Sequence, residues 1–319
     1  MKNFVSIWLI ALFSSSVVFF QCAGQKSQKT GKITLSGAWA LYPMAVKWAE
    51  EYQKINPDVR FDISAGGAGK GMTDCLAEVV DIGMVSREIQ PGEIDKGAWR
   101  VSVTKDAVVP TVSAVNPVIG DILAKGVRRE TLVDVWIDGT VKQWGPIIGS
   151  SNTDAIHVYT RSDACGAAQT WAEYLGAKQE DLRNVGVYGD PGLAEAVRSD
   201  ALGIGFNNIN YVYDAQTKRQ VDGIRVLPID LNANGALDAD ENFYTTRDEI
   251  VQAIAAGKYP SPPARNLHFV CHGEPKNATV LRFLKWVLTD GQAFIDEAGY
   301  IQLPPEKIAE ELQKLQDGE

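Results

Sequence analysis

Histidine and cysteine are scarce in this chain of 319 residues, which has three of the first and four of the second. His157, His268 and His272 do not form a spacing typical of a metal site, and no two cysteines form a CxxC pair. When Cys22 is set aside, an odd number of cysteines remains: Cys75, Cys165 and Cys271. We therefore expect no disulfide framework, and we treat the histidines as structural.

Excess positive charge is also missing. The chain carries 31 lysine and arginine residues against 40 aspartate and glutamate residues, which gives a formal net charge of −9. No basic stripe could neutralise phosphates along a strand, so nucleic acid is not expected as a partner. An acidic chain must hold any bound anion in a local pocket.

The common nucleotide-binding motifs are absent from the glycine-rich stretch at residues 64–87. A Walker loop needs Gly-Lys-Ser/Thr, but Lys70 is followed by Gly71, and the spacing GxGxxG does not occur there. The stretch instead reads as strand, glycine loop, helix and strand, ending at Ser86 and Arg87. Glycines let backbone N–H groups converge on an anion at a helix N-terminus, although many α/β proteins use such a turn only for tight turning.

The first 24 residues stand apart from the rest of the sequence. Lys2 precedes an apolar run at residues 4–20 that is shorter than a membrane span and resembles an export signal, and a polar tether follows at residues 25–31. Cys22 resembles the lipidated cysteine of bacterial lipoproteins, but Gln21 stands where a small residue is usual, so cleavage after Gly24 is an alternative. In either case we expect an exported protein, periplasmic or at the cell surface, that touches a membrane only through a lipid anchor.

Two other segments repeat the order of strand, turn and helix. Residues 32–36 read as a strand before a helix that Pro43 can start, and residues 156–159 read as a strand before a polar turn that contains Arg161. In a parallel sheet, helix N-termini of this kind point to the same edge. Two helix ends that favour an anion could therefore meet.

One ordered set of short motifs covers about residues 32–305. Its members are Ser36-Gly37 before Tyr42-Pro43, Gly66-Gly67-x-Gly69, Asp81-Ile-Gly-x-x-Ser86-Arg87, Trp136-x-x-Gly139 with Trp144, Arg161-Ser-Asp, Gly203-Ile-Gly205, and Gly291-Gln292 before Gly299. Each motif alone is weak. In this order they resemble the phosphate-binding proteins of ABC phosphate transporters.

The resemblance implies an α/β fold with two lobes, of the type II periplasmic-binding-protein-like kind, with a hinge between the lobes. Lobe one would comprise residues 32–113 and 265–319, lobe two residues 114–264, and the hinge strands residues 108–115 and 265–271. Such proteins close around a ligand by hinge bending. The resemblance further implies phosphate in the cleft, an ABC permease as partner, a monomer and no catalytic residue.

The resemblance also implies which residues surround the ligand. They are Ala38, Trp39 and Ala40; Ala68, Gly69 and Lys70; Ser86 and Arg87; and Arg161, Cys165, Gly166 and Ala167. Three clusters of serine or threonine in relatives are replaced here, at residues 38–40, 68 and 165–167. Each lost donor could be worth about 1.5–3 kcal/mol, so tight phosphate binding should disappear unless other donors compensate.

Several hypotheses about function follow. The leading one is an exported solute-binding protein that captures phosphate or a related oxyanion for an ABC importer, and a different small anionic ligand on the same fold is the alternative. A ligand-sensing or adhesive lipoprotein and an exported enzyme with Cys165 as nucleophile are further alternatives. For Arg87 and Arg161, the structural alternative is solvation or an internal ion pair with Asp81 or Asp163.

A second, independent motif lies at residues 230–241, which match the twelve-residue calcium loop. Gly235 permits the sharp turn, and the oxygen ligands would come from Asp230, Asn232, Asn234, the carbonyl of Ala236, Asp238 and Glu241. Residues 224–229 read as a strand where an EF-hand has a helix, and a turn rich in Asn and Asp is the alternative. We expect a structural Ca²⁺ in lobe two, away from the cleft, and no organic cofactor.

Overall fold

The computed structural model describes residues 31–316, and the first three strands in this range are parallel. β1 (Gly31–Gly37) lies between β2 (Val59–Ala65) and β3 (Ile82–Val85). α1 (Tyr42–Ile55) and α2 (Ala68–Leu76) connect them. Proline in the first turn of α1 fits a position that has no intrahelical N–H bond to lose. The loops after the three strands lie at one edge of the sheet.

Two long strands join the halves of the molecule. β4 (Ala98–Ser113) and β11 (Ala264–His272) are antiparallel, with Ala264 opposite Ala107 and His272 opposite Ala98. β11 also pairs with β3. Segment 265–271, expected as one hinge strand, therefore pairs with residues 99–106 of β4 rather than with the other expected hinge segment.

The second half of the sheet begins where β4 leaves β11. Residues 108–112 of β4 pair with β8 (Gly203–Asn208), and β9 (Ile224–Val226) also pairs with β4. β6 (His157–Arg161) lies parallel to β8, and β7 (Val185–Val187) lies parallel to β6. The connecting helices are α7 (Gly166–Leu175) and α8 (Gly189–Ser199).

The remaining elements surround this sheet. They are α3 (Pro91–Ile94), α4 (Ile119–Lys125), β5 (Val127–Arg128), α5 (Arg129–Val133), a π-helical turn (Asp134–Asp138), α6 (Trp144–Ile148), β10 (Ile229–Asp230), α9 (Arg247–Ala255), α10 (Ala278–Val287), α11 (Ile295–Ala298), α12 (Pro305–Lys314), and 3₁₀ turns at Gln179–Asp181, Ile209–Tyr211 and Asp290–Phe294. β10 and β5 form a separate parallel pair. Within residues 31–316, every helix is too short or too polar to cross a bilayer.

Two hydrophobic cores lie along the two halves of β4. Trp48, Phe269 and Phe283 pack in the first, whereas Trp136 and Trp171 pack in the second. Residues up to 103 of β4 belong to the first core, and residues from 107 belong to the second. The predicted α/β fold with two lobes is confirmed, and the lobe bounds drawn at residues 113 and 265 stay predictions.

Four of the sequence-based predictions concern cysteines or the N-terminus. Cys75, Cys165 and Cys271 are free and buried, as expected without a disulfide framework. The export signal at residues 1–24, lipidation at Cys22 and residues 25–30 of the tether lie outside the described residues.

Candidate functional site

The candidate site forms where three parallel strands of lobe two end. Arg161 is the last residue of β6, Asp190 lies in the first turn of α8 just after β7, and Asn208 is the last residue of β8. Because carboxyl ends of parallel strands meet at one sheet edge, these side chains come together. With Asp163, and with Asp106 and Arg265 from β4 and β11, they form what we call the interlobe cluster.

Each guanidinium nitrogen of Arg161 has a carboxylate partner within this cluster. Asp163 accepts from its Nε at 2.8 Å and from Nη2 at 2.6 Å, and Asp190 accepts from Nη1 at 2.6 Å. The side chain of Arg161 is 0% exposed. Burial alone would lower the pKa of Arg161, but the carboxylates of Asp190 and Asp163 more than offset this and hold the pKa above its ordinary value. The structural alternative for Arg161, an internal ion pair with Asp163, is thus what the geometry contains.

A second arginine extends the cluster toward the strands that join the lobes. Arg265 donates from Nη1 to the carbonyl of Gly166 at 3.1 Å, bonds the side chain of Asn208, and lies 3.8 Å from a carboxylate oxygen of Asp106. Burial lowers the pKa of Arg265, and burial raises the pKa of Asp106 to about 7 although Arg265 opposes that rise. Neither group is stabilised in its charged form as strongly as Arg161.

The two lobes touch directly at the glycine loops. The N–H of Gly69, in the first turn of α2, donates to the carbonyl of Ala164 at 3.0 Å. A Cβ added to Gly166 would lie 2.2 Å from the carbonyl oxygen of Ser86, so glycine is required for this approach. The hydroxyl of Tyr211 donates to the carbonyl of Trp39 at 3.0 Å. The cleft is therefore closed.

The residues that replace serine and threonine line this contact as apolar surface. Ala38, Ala40, Ala68 and Ala167 are all buried. The ring of Trp39 packs edge-on against Tyr188, with 6.2 Å between centroids. These side chains offer no hydroxyl to a ligand, as the sequence indicated.

Two cations predicted for the site bond within lobe one instead. Arg87 forms a two-pronged pair with Glu93, at 2.8 and 2.6 Å, and does not pair with Asp81. Lys70 pairs with Asp74, which also accepts from the hydroxyl of Ser36 at 2.5 Å. Their positive charge is already compensated before any ligand arrives.

Cys165 caps α7 rather than facing a base. Its Sγ accepts from the N–H of Ala168 at 3.4 Å. Burial raises the pKa of the Cys165 thiol to about 12, even though Arg161 pulls it down. A thiol with this pKa is almost entirely protonated near neutral pH, which argues against the nucleophile hypothesis.

Four residues of the closed site were not predicted from the sequence: Asp190, Asn208, Arg265 and Asp106. Asp190 and Asn208 could have been found as polar residues that follow short apolar strands. Asp106 is a carboxyl group inside an apolar strand, and Arg265 stands opposite it in the strand register. A buried charge in an apolar strand needs a partner, so the position of Asp106 in the sequence could have indicated a buried ion pair.

Buried hydrogen-bonding atoms without a partner remain beside the cluster. Within residues 31–316, Nε1 of Trp39 and Nε of Arg265 have no acceptor, and Oδ2 of Asp106 has no donor. A surface cavity of about 690 Å³ opens next to Arg161, lined by Gln90 from lobe one and by Ala164 and Gln179 among others from lobe two. The closed cleft thus retains buried hydrogen-bonding atoms without partners, and a cavity beside it is open to solvent.

The expected calcium ligands lie elsewhere. Asp230 ends β10, and the other five lie in the loop that follows it in lobe two. Among the described residues, they share no hydrogen bond or ion pair with the interlobe cluster.

A protein-family model described as the PBP superfamily domain matches residues 23–291 of this chain. The chain belongs to the PBP superfamily. The periplasmic-binding-protein-like family that the ordered motifs indicated is confirmed at the level of this superfamily.

Relatives within the superfamily are named for phosphate. The phosphate-binding protein PstS of Methanocaldococcus jannaschii is 25% identical over 336 aligned residues, covering 87% of this chain and 84% of that protein. The phosphate-binding protein PstS of Bacillus subtilis is 26% identical over 203 residues, covering 63% of this chain and 65% of that protein.

Solved structures support the fold. A Clostridium perfringens protein with bound phosphate has a TM-score of 0.71 at 21% identity, covering 86% of this chain and 100% of that chain. An ABC-type phosphate transport receptor from Vibrio cholerae has a TM-score of 0.62 at 20% identity, covering 85% and 100% of the two chains. At these identities the likeness concerns the fold alone.

Proposed function

We propose that this chain is an exported solute-binding protein that captures a small oxyanion between its lobes and passes it to the permease of an ABC importer. Phosphate is the first ligand to test, because the relatives are phosphate-binding proteins. In this proposal the protein is a monomer without catalytic activity. It acts outside the cytoplasm, either anchored through Cys22 or released after Gly24.

One observation carries the proposal: a buried arginine stands between two helix N-termini at a closed junction of lobes. Arg161 lies at the end of β6, and α7 begins five residues later at Gly166. Gly69, in the first turn of α2, donates its N–H to the carbonyl of Ala164, in the turn between β6 and α7. First-turn N–H groups have no intrahelical acceptor, and the helix dipole favours negative charge there. If the lobes separate, Gly69 loses Ala164 and becomes a free donor.

The unpaired donors strengthen this interpretation. A buried donor without an acceptor costs about 1–3 kcal/mol, so a ligand rich in acceptors would remove that cost at Trp39 Nε1 and Arg265 Nε. Both atoms belong to residues that contact the junction of lobes. The oxygens of a bound oxyanion could accept hydrogen bonds from both nitrogen atoms.

A second candidate function is the same capture mechanism with a ligand other than phosphate. The observation that favours it is Asp190, whose carboxylate already occupies Arg161 Nη1. A phosphate dianion would enter a cluster that contains two guanidinium groups and three carboxyl groups, and it would find no hydroxyl donors at positions 38, 40, 68 or 167. A ligand with less negative charge, or with its own donors for Asp190, would fit this environment better.

The test is ligand titration of the purified protein by isothermal calorimetry and thermal unfolding, using phosphate, sulfate, molybdate, phosphonates and small carboxylates. A ligand at about 1,000 times its dissociation constant adds about 4 kcal/mol of stability. The variant Arg161→Lys keeps the positive charge but loses the planar guanidinium group, which can donate two parallel hydrogen bonds to one anion. Arg129→Lys is its control, because Arg129 bonds the carbonyl of Tyr174 near the other end of α7.

We expect binding of an oxyanion that Arg161→Lys weakens at least tenfold and Arg129→Lys leaves unchanged. If phosphate gives no signal and another ligand does, the second candidate replaces the first. If no anion binds, or both lysine variants behave like the native protein, the interlobe site is not an anion receptor.

A further inference from the structure

The loop at residues 230–241 is held in lobe two at its start and by a residue within it. Before it, β10 pairs with β5, with Asp230 opposite Arg128. Within it, the N–H of Leu237 donates to the carbonyl of Ala124 at 3.3 Å, and Leu237 packs against the second core. The loop is therefore fixed to the body of the lobe without a flanking helix on its N-terminal side.

The backbone of the loop turns around the first carboxylate. Asp230 accepts from the N–H of Gly235 at 2.8 Å and of Asn234 at 3.2 Å. Gly235 has a φ of +88°, a conformation that a side chain would strain. Asn232 and Asn234 each donate from the side-chain amide to the same oxygen of Asp238, at 2.8 and 2.7 Å. The side chains at three ligand positions thus converge on one point.

Glu241 supplies an independent observation that points to a cation. The residue is only 4% exposed, and its Oε1 accepts from the N–H of Asn232 at 2.9 Å, which aims the carboxylate into the loop. Its other oxygen, Oε2, is buried and has no hydrogen-bond donor within residues 31–316. A buried carboxylate with an unpaired oxygen is costly unless a positive charge reaches it.

The positive charge on the protein side is small. Arg128 is 50% exposed and reaches Asp230 only at 3.6 Å between Nε and Oδ2. In the described part of the chain, Glu241 and Asp238 have no salt-bridge partner at all. Of these three carboxylates only Asp230 has a cationic partner, and that arginine is partly solvated. The loop therefore carries uncompensated negative charge that a divalent cation could neutralise.

We propose that this loop binds one Ca²⁺ ion, with Asp230, Asn232, Asn234 and Asp238 as side-chain ligands, Ala236 through its carbonyl and Glu241 through both oxygens. Ca²⁺ takes six to eight hard oxygens in a flexible geometry, whereas Mg²⁺ demands a near-ideal octahedron and keeps several waters. Closure by both oxygens of Glu241 therefore selects the larger ion. This site is separate from the interlobe cluster, and its binding of metal does not depend on which solute the cleft takes.

The experiment is a titration of the purified protein, stripped with EGTA and kept in phosphate-free buffer, with CaCl₂ and separately with MgCl₂. Calorimetry gives affinity and stoichiometry, and hydrogen exchange shows which amides gain protection. The variants are Glu241→Gln and Asp238→Asn. Asp240→Asn is the matched control, because Asp240 is an exposed carboxylate in the same loop at a position that is not a ligand.

We expect one Ca²⁺ per chain, a higher unfolding temperature with Ca²⁺ than with EGTA, and new amide protection confined to residues 230–242. Affinity should fall at least tenfold in Glu241→Gln and Asp238→Asn and stay unchanged in Asp240→Asn. Absence of any heat or protection in the native protein at millimolar Ca²⁺ overturns the proposal, whatever the variants do. So does equal affinity in the native protein and a folded Glu241→Gln or Asp238→Asn variant.

Discussion

Asp190 binds Arg161 through a carboxylate oxygen 2.6 Å from Nη1, and the two side chains are 1% and 0% exposed. With Asp163 on the other two nitrogens, the guanidinium has a carboxylate on each of its bonding edges. An incoming anion would therefore compete with buried carboxylates of the protein for these nitrogens.

The variant Asp190→Asn tests this competition. The amide keeps the shape of the side chain but removes its charge, so Arg161 should attract anions more strongly. We expect phosphate or sulfate affinity to rise at least tenfold, and the ligand-free protein to lose stability, because breaking a buried ion pair costs about 3–5 kcal/mol. Calorimetry and urea unfolding measure the two effects.

The control for this variant is Glu195→Gln, which removes a carboxylate from the exposed face of the same helix. It should change neither quantity by more than about 0.5 kcal/mol. Unchanged or weaker anion binding in Asp190→Asn would show that Asp190 does not compete with the ligand.

The variant Gly166→Ala should hold the lobes apart. Its added Cβ would lie 2.2 Å from the carbonyl oxygen of Ser86 and 2.3 Å from its hydroxyl, and Gly166 does not need a positive φ. The conflict is thus between lobes and not within the backbone. Small-angle X-ray scattering should show a larger radius of gyration, and ligand binding should weaken.

Gly120→Ala is the matched control, because nothing lies within 4 Å of its added Cβ and the residue sits in α4 without a positive φ. It should leave the scattering curve unchanged. An unaltered radius of gyration in Gly166→Ala would mean that the close approach of Ser86 is not what limits closure.

His268 should make the protein lose stability in acid. Burial, followed by the positive charge of Arg100, lowers its pKa to about 3, against an ordinary value of 6.5. Glu88, 3.9 Å from Nε2, is exposed and opposes this only weakly. Between these pKa values the unfolded chain binds a proton that the folded protein does not, so stability falls as the pH falls below about 6.5.

The replacement His268→Gln should remove that dependence. The native protein should lose about 2 kcal/mol more than the variant between pH 7 and pH 5, as measured by urea unfolding. Parallel pH profiles for the native protein and the His268→Gln variant would rule out His268 as the titrating group.

The variant Trp39→Phe asks whether the unpaired indole nitrogen serves a ligand. Phenylalanine keeps an aromatic ring beside Tyr188 but has no donor. The ligand-free protein should be as stable as before or more stable by about 1 kcal/mol, because a buried donor without a partner is removed. Ligand affinity should nevertheless fall. A loss of stability without ligand and no change in affinity would contradict this role.

The sequence predicted the scaffold better than the site. Strand ends, glycine loops and helix starts follow from local patterns, so Gly69, Gly166 and Arg161 were expected near one edge, and the structure brings them there. The absence of hydroxyl groups at Ala38, Ala40 and Ala68 was also predictable, because it depends only on the identity of each residue.

Pairing of charges could not be predicted in the same way. Arg87 pairs with Glu93, and Lys70 pairs with Asp74. Each of these carboxylates lies only a few residues along the chain from its partner, where several other carboxylates are also candidates for pairing. Asp190 lies 29 residues after Arg161, and the contact depends on β6 and β7 being parallel and adjacent. Such a contact follows from topology and not from spacing.

The order in which the cores are completed has a consequence for biosynthesis. Core one takes residues from both ends of the described chain, from Ile33 to Val103 and again from Leu267 to Leu315, whereas core two is drawn almost entirely from the segment between them. During translation, the N-terminal strands must wait for β11 and α10 before their apolar faces can be covered. The nascent chain therefore exposes the apolar residues of an incomplete first lobe until β11 and α10 have been synthesised.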